Sequence, residues 1–190
     1  IEDAHPKYEP YSLGGNSDYN LRGSDYKIVR DAKGFTEKGR ASWYGKKFQG
    51  HLTSNGEIYD MYSMTAAHKT LPLPSYVKVT NTDNGKSTVV RVNDRGPFHD
   101  GRIIDLSYAA AHKLDVVKTG TANVEIEVIT VDKPTDEKSL AAHPRYVIQV
   151  ASSKYEDRAR TLGQELGQKL DTETFLESSK DTYRLLLGPY

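Results

Sequence analysis

The chain has 190 residues, with 26 Lys and Arg against 26 Asp and Glu, a formal net charge of zero, and no cysteine. Zero net charge argues against an electrostatic nucleic-acid binder, and the missing Cys excludes a disulfide framework, a thiolate nucleophile, an iron–sulfur cluster and a Cys-ligated zinc. No run of about 18 apolar residues reads as a membrane span, and Ile1-Glu2-Asp3-Ala4 lacks signal-peptide character, so any signal peptide is expected to have been removed.

Residues 1–38 read as an extended arm, rich in Tyr, Gly, Asn, Asp and Ser, with only Tyr26-Lys27-Ile28-Val29 patterned as a strand. Such composition buries little by itself, so the arm is expected to pack on the surface of the next unit. From 39 to 131 the pattern is short strands and turns. Gly39 to Gly45 opens it, and Tyr76 to Asn81 alternates with period 2. A turn over Asn81 to Lys86 joins that run to Ser87 to Val92, which predicts a hairpin. Ile103 to Ser107 is another strand, Ser107 caps a short helix through Leu114, and Val124 to Val131 closes the segment. Many short strands with one short helix predict a compact, mainly β barrel. Residues 132–144, with Asp132, Pro134 and Lys138, read as a linker. From 145 to 190 the order is a strand (Tyr146 to Val150), a helix with Ala159, Leu162, Leu166 and Leu170 at helical spacing, and two strands. That is the opening of a small α/β sandwich.

Three polar residues stand out in the barrel segment: Glu57 in a turn-rich loop, His68 before Lys69-Thr70-Leu71-Pro72, and Asp94 where a strand meets Arg95-Gly96-Pro97. Loops on a rigid scaffold commonly carry catalytic groups, and two carboxylates with a His suit general acid and base chemistry. The bland reading is a good turn at Asp94 and hydrogen-bonded loop groups at Glu57 and His68. The remaining histidines show no metal-ligand spacing, so no metal and no cofactor are expected.

Five motifs in order resemble the double-psi β-barrel of the rare lipoprotein A family, the septal-ring lytic transglycosylases. They are Ala41-Ser42-Trp43-Tyr44-Gly45, Thr53-Ser54-Asn55-Gly56-Glu57-Ile58-Tyr59-Asp60, Thr65-Ala66-Ala67-His68-Lys69-Thr70-Leu71-Pro72, Val90-Arg91-Val92-Asn93-Asp94-Arg95-Gly96-Pro97-Phe98 and Arg102-Ile103-Ile104-Asp105-Leu106-Ser107. The tail resembles a SPOR domain of βαββαβ type, which binds glycan strands stripped of stem peptides. Its closing helix and strand are not found before Tyr190, so a truncated SPOR unit is expected.

The resemblance implies an endolytic enzyme. It cleaves the β-1,4 bond between N-acetylmuramic acid and N-acetylglucosamine without water and leaves a 1,6-anhydro end. The sugar's own 6-hydroxyl attacks, so fewer protein groups are needed than in hydrolysis. The resemblance points to Asp94 as the acid, with Glu57 raising its pKa or sharing its proton transfers, and His68 orienting a carboxylate or the sugar. Stacking surfaces for sugar faces are expected from Trp43, Tyr44, Tyr59 and Phe98, and a lactyl-carboxylate contact from Arg95. It further implies a monomer, and a native form anchored by lipid to the outer membrane and enriched at the septum, with its acylated Cys absent from this chain. The competing readings are a non-catalytic, expansin-like wall binder and a glycoside hydrolase on the same barrel.

Overall fold

Alternating runs separated by turns give eight strands in the first unit. They are β1 (Tyr19–Leu21), β2 (Ser24–Tyr26), β3 (Thr36–Trp43), β4 (Thr65–His68), β5 (Ser75–Asn81), β6 (Ser87–Asp94), β7 (Arg102–Leu106) and β8 (Thr121–Ile129). Helix α1 (Tyr108–Lys113) lies before β8. The computed structural model describes residues 1–135, 147–179 and 182–188. They divide into two units, Ile1–Lys133 and Pro134–Tyr190.

Six strands of the first unit close into a barrel in the order β3-β7-β4-β6-β5-β8, the mainly β closed architecture that the sequence predicts. Pairs β3–β7 and β4–β6 are parallel and the other four pairs are antiparallel. The alternating side chains Val77, Val79, Val90, Val92, Ile104, Leu106 and Ile126 are fully buried inside it. Each such side chain contributes on the order of 1.5–3 kcal/mol by leaving water. Ser107 Oγ accepts from the Ala110 amide at 3.2 Å and caps α1, whose Ala109, Ala110 and Ala111 are buried.

The arm is bonded to the barrel along its length. Ala4 N donates to Val89 O at 3.0 Å, Ser12 N to Leu73 O at 2.8 Å and Val29 N to Thr70 O at 2.9 Å. Asn16 closes a two-way pair with Leu73, donating from Nδ2 to its carbonyl at 2.8 Å and accepting its amide at 2.7 Å. The strand expected at Tyr26 to Val29 lies earlier. Arg22 and Gly23, at φ 51° and 83°, make a two-residue turn that pairs Tyr19 with Tyr26, and the chain then leaves toward β4.

The second unit contains β9 (Ile148–Ser153), α2 (Glu156–Leu170), β10 (Thr174–Ser179) and β11 (Thr182–Leu187), with an antiparallel sheet in the order β10-β11-β9. Ala159 and Gly163 of α2 are buried, as are Leu185 and Leu187 of β11. A Cβ at Gly163 would lie 2.9 Å from Leu185 Cδ1, so helix and sheet approach at a position that accepts no side chain without a shift. Of the expected linker, 136–144 lies outside the described residues, as does Tyr146 of the expected first strand.

Candidate active site

A register shift builds the site. Between β4 and β6 the pairing passes from Ala66↔Val92 to Ala67↔Asp94, so Asn93 is the extra residue of a bulge. A one-residue slip reverses which face a strand residue occupies. Asn93 therefore turns toward Glu57, and Asp94 comes level with Ala67. On the other side of β4, Ala67 pairs with Asp105 of β7, which in turn pairs with Ser42 of β3. Ser42, Asp105, Ala67 and Asp94 thus form one row across four strands. At about 4.8 Å per strand, the two aspartates flank Ala67 at roughly 10 Å between backbones, and Ala67 offers only a methyl between them.

The aspartates differ in environment. Asp94 Oδ1 accepts from Ser54 N at 2.9 Å, Ser54 Oγ at 2.6 Å and Arg95 N at 2.8 Å, while Oδ2 has no hydrogen bond among the described residues. Asp105 Oδ1 accepts a hydrogen bond from Ser42 Oγ. Burial pushes the Asp105 carboxyl above the usual carboxylate range. Ser42, Arg102 and His99 oppose that shift, and the neighbouring Asp94 charge adds to it. Gly96, at φ 128°, is in the region that favours glycine, and a Cβ there would lie 3.8 Å from Asp105 Oδ2 and 3.7 Å from Phe98 Cε2. The approach to Asp105 past Phe98 therefore runs over bare backbone.

Glu57 occupies a different setting from the one expected. Its oxygens accept from Arg91 Nη1 at 2.7 Å and Nη2 at 2.8 Å, from Asn93 Nδ2 at 2.8 Å and from Asn55 Nδ2 at 3.1 Å. Burial would raise its pKa, but the Arg91 and Asn93 bonds outweigh that and hold it below the usual range. Arg91 also binds Glu9 of the arm, from Nε at 2.8 Å and Nη2 at 3.1 Å. With its charge matched by Arg91, Glu57 is poorly placed to raise the pKa of a neighbour. The carboxyl that is raised is Asp105. Glu57 remains joined to Asp94 through its own loop, since Ser54 is three residues away and Thr53 N donates to Glu57 O at 2.7 Å.

His68 is buried, with 2 % of its surface exposed. Its Nδ1 accepts from Thr70 N and Leu71 N, both at 3.1 Å, and its Nε2 lies 2.9 Å from Glu37 Oε2. It fixes the turn after β4 and presents no nitrogen to the row. Arg95 is likewise committed. It donates to Gly15 O at 2.8 and 3.0 Å, to His68 O at 3.1 Å and to Leu71 O at 2.5 Å, so it braces the Asp94 loop against the arm rather than awaiting an anion.

The aromatic residues divide. Tyr59 is 2 % exposed, its hydroxyl donates to Tyr44 O at 2.8 Å, and burial raises its pKa to about 12; it offers no face to a sugar. Tyr44 stacks on Tyr59 at 4.4 Å, and burial, then the charges of Asp94 and Asp105, raise its phenol far above the ordinary range. Its buried hydroxyl lies beside Thr65 Oγ1, and neither makes a well-formed hydrogen bond among the described residues. Trp43 packs against the core and meets Tyr108 edge-on at 5.7 Å. Phe98 is 37 % exposed. Asp105, Ser42 and Ser54 escaped the sequence reading as site residues. The signal for Asp105 was a lone carboxylate inside the apolar strand Arg102 to Leu106. Among the described residues no group of three or more His, Asp or Glu is placed to hold a metal ion, and no helix is long and apolar enough to cross a membrane.

Comparison with known proteins agrees with this architecture. Residues 36–126 match the family described as "Lytic transglycolase", and residues 142–190 match the SPOR domain. The chain is 73 % identical over 192 residues to "Endolytic peptidoglycan transglycosylase RlpA" of Vibrio cholerae, covering 100 % of this chain and 73 % of that protein. It is 44 % identical over 193 residues to the protein of the same name from Neisseria meningitidis serogroup B, covering 99 % and 80 %. The Pseudomonas aeruginosa protein of that name is 58 % identical over 129 residues, 68 % of this chain and 38 % of its own length. The chain belongs to the RlpA family of endolytic peptidoglycan transglycosylases, with a lytic transglycosylase barrel followed by a SPOR domain.

Proposed function

We propose that the chain cleaves the β-1,4 bond between N-acetylmuramic acid and N-acetylglucosamine within glycan strands, with Asp105 and Asp94 as its acid and base. One observation carries the division of labour: the two carboxyls share a row on either side of Ala67, one buried and shifted upward, the other with a free oxygen. Asp105 keeps its proton and gives it to the departing glycosidic oxygen as the C1–O bond breaks. The muramyl 6-hydroxyl attacks C1 and closes the 1,6-anhydro ring, passing its proton to Asp94 Oδ2. Return of that proton to Asp105 restores both groups, and no water is consumed. Ser42 and Ser54 hold the two carboxyls, while Glu57 and His68 position the loops that carry Asp94 and Arg95.

The match of the tail to the SPOR family supports peptidoglycan binding and a place of action in the cell envelope. In the finer reading, the second unit selects strands stripped of stem peptides, it concentrates a lipid-anchored, monomeric enzyme at the septum, and Phe98 stacks on a sugar. The test is incubation with such strands followed by mass spectrometry. Anhydro-muramyl ends are expected. Reducing ends would make the chain a hydrolase, and intact glycan a binder.

A further inference from the structure

Beside the carboxyl row stands an aromatic group to which only Phe98 contributes from the barrel. Tyr19 and Tyr26, facing one another across the β1–β2 hairpin, stack at 4.8 Å with 16° between their planes. Phe98 meets both at steep angles, 6.3 Å from Tyr19 and 5.6 Å from Tyr26. The hairpin is held in place before any ligand arrives. Tyr19 Oη donates to Lys69 O at 2.8 Å, and Asp18 Oδ1 accepts the Ile28 amide at 2.9 Å and Arg30 Nη2 at 3.1 Å. Tyr26 is half-buried, and its hydroxyl has no partner among the described residues.

We infer that Tyr26 and Phe98 form a stacking subsite for one saccharide ring of the glycan strand, supplied in part by the arm. This rests on the transglycosylase reading above. The reasons are chemical and geometric. A pyranose presents an apolar face of C–H groups that suits an aromatic ring, and a rigid aromatic loses little entropy in binding it. The ring of Phe98 and Oδ2 of Asp105 lie within 4 Å of the same point above Gly96, so a strand crossing the carboxyl row passes directly onto Phe98. Tyr26 widens that surface and adds a hydroxyl able to bond a sugar hydroxyl. The arm is thus part of the substrate site as well as a brace for Arg95 and Arg91.

The experiment measures steady-state cleavage of stem-peptide-free glycan strands by the whole chain. Tyr26→Leu and Phe98→Leu are expected to raise KM about tenfold, more than they lower kcat, the scale of one lost ring stack. Tyr26→Phe keeps the ring and is expected to restore most of the loss. A packing role alone would instead lower the melting temperature with KM unchanged, and that result overturns the subsite. A second measurement avoids any folding defect: in the unaltered chain, the ring proton resonances of Tyr26 and Phe98 should shift on adding a stem-peptide-free hexasaccharide. Unmoved resonances also overturn it. Absence of anhydro product from the unaltered chain would sink the transglycosylase reading and the subsite together, whereas normal product with unchanged KM sinks the subsite alone.

Discussion

Glu57 and Glu9 share one guanidinium, that of Arg91, whereas Asp105 and Asp94 face each other across Ala67 with no ion pair among the described residues. Both clusters draw on β6, which carries Arg91 and Asp94, and both are built from the same functional group. In the first, hydrogen bonds from Arg91 outweigh burial and hold both carboxylates charged. In the second, burial outweighs the serine bond and favours the protonated acid at Asp105. The difference teaches that acidity here follows the donors each strand position supplies. It also separates a cluster that maintains the fold from the one proposed to move protons.

The comparison breaks most severely at Asp105. Asp105→Asn removes the proton donor, and kcat on stem-peptide-free strands should fall about a thousandfold while glycan binding persists. Asp94→Asn removes the acceptor of the 6-hydroxyl proton and should lower kcat by about a hundredfold. It should also bring the Asp105 titration down toward its ordinary value, since a like charge has gone. An Asp94→Asn protein of near-normal rate would contradict the pairing.

At the other cluster the expected loss is in stability. Arg91→Ala strands two partly buried carboxylates and should cost on the order of 2 kcal/mol, below the value for a fully buried pair because Glu57 is 38 % exposed. Denaturant unfolding measures it. Glu57→Gln should lower kcat by loosening the loop that seats Ser54 on Asp94, yet leave the alkaline limb of the pH–rate profile in place, because Asp105 sets that limb. A displaced limb would return Glu57 to the proton transfers.

The smallest effect is the response of stability to acid. Glu9 and Glu57 titrate in the folded chain below their ordinary value of 4.5, so their contribution is present above pH 4.5 and is lost as pH falls through the depressed values. Asp105 has the opposite sign. Its folded value lies above 3.8, so its contribution is full below pH 3.8 and is lost as pH rises through the folded value. The acid-induced loss should be flattened in Arg91→Ala.

Much of this was legible in the sequence where side chains alternate. The β5–β6 hairpin and the Ser107 cap follow from period, turn residues and helix formers. Strand β4 did not stand out from its own residues, because Thr65-Ala66-Ala67-His68 has no alternation and its small side chains serve a close-packed position between one parallel and one antiparallel neighbour. The partnership of Asp94 with Asp105 needs the bulge at Asn93, and a bulge leaves no mark in composition. The Arg91 link to Glu9 spans 82 positions, beyond the reach of any local pattern. Resemblance identified the motifs, while the register determined which carboxyl each motif presents.

A carbon-detected NMR titration of the Asp105 side-chain carboxyl, in the unaltered chain and in Asp94→Asn, reads the proton holder itself. Asp105 should titrate above 3.8 in the unaltered chain and move downward in the variant. Titration at or below 3.8, or no change in the variant, would contradict the assignment of Asp105 as the acid and of Asp94 as the charge beside it.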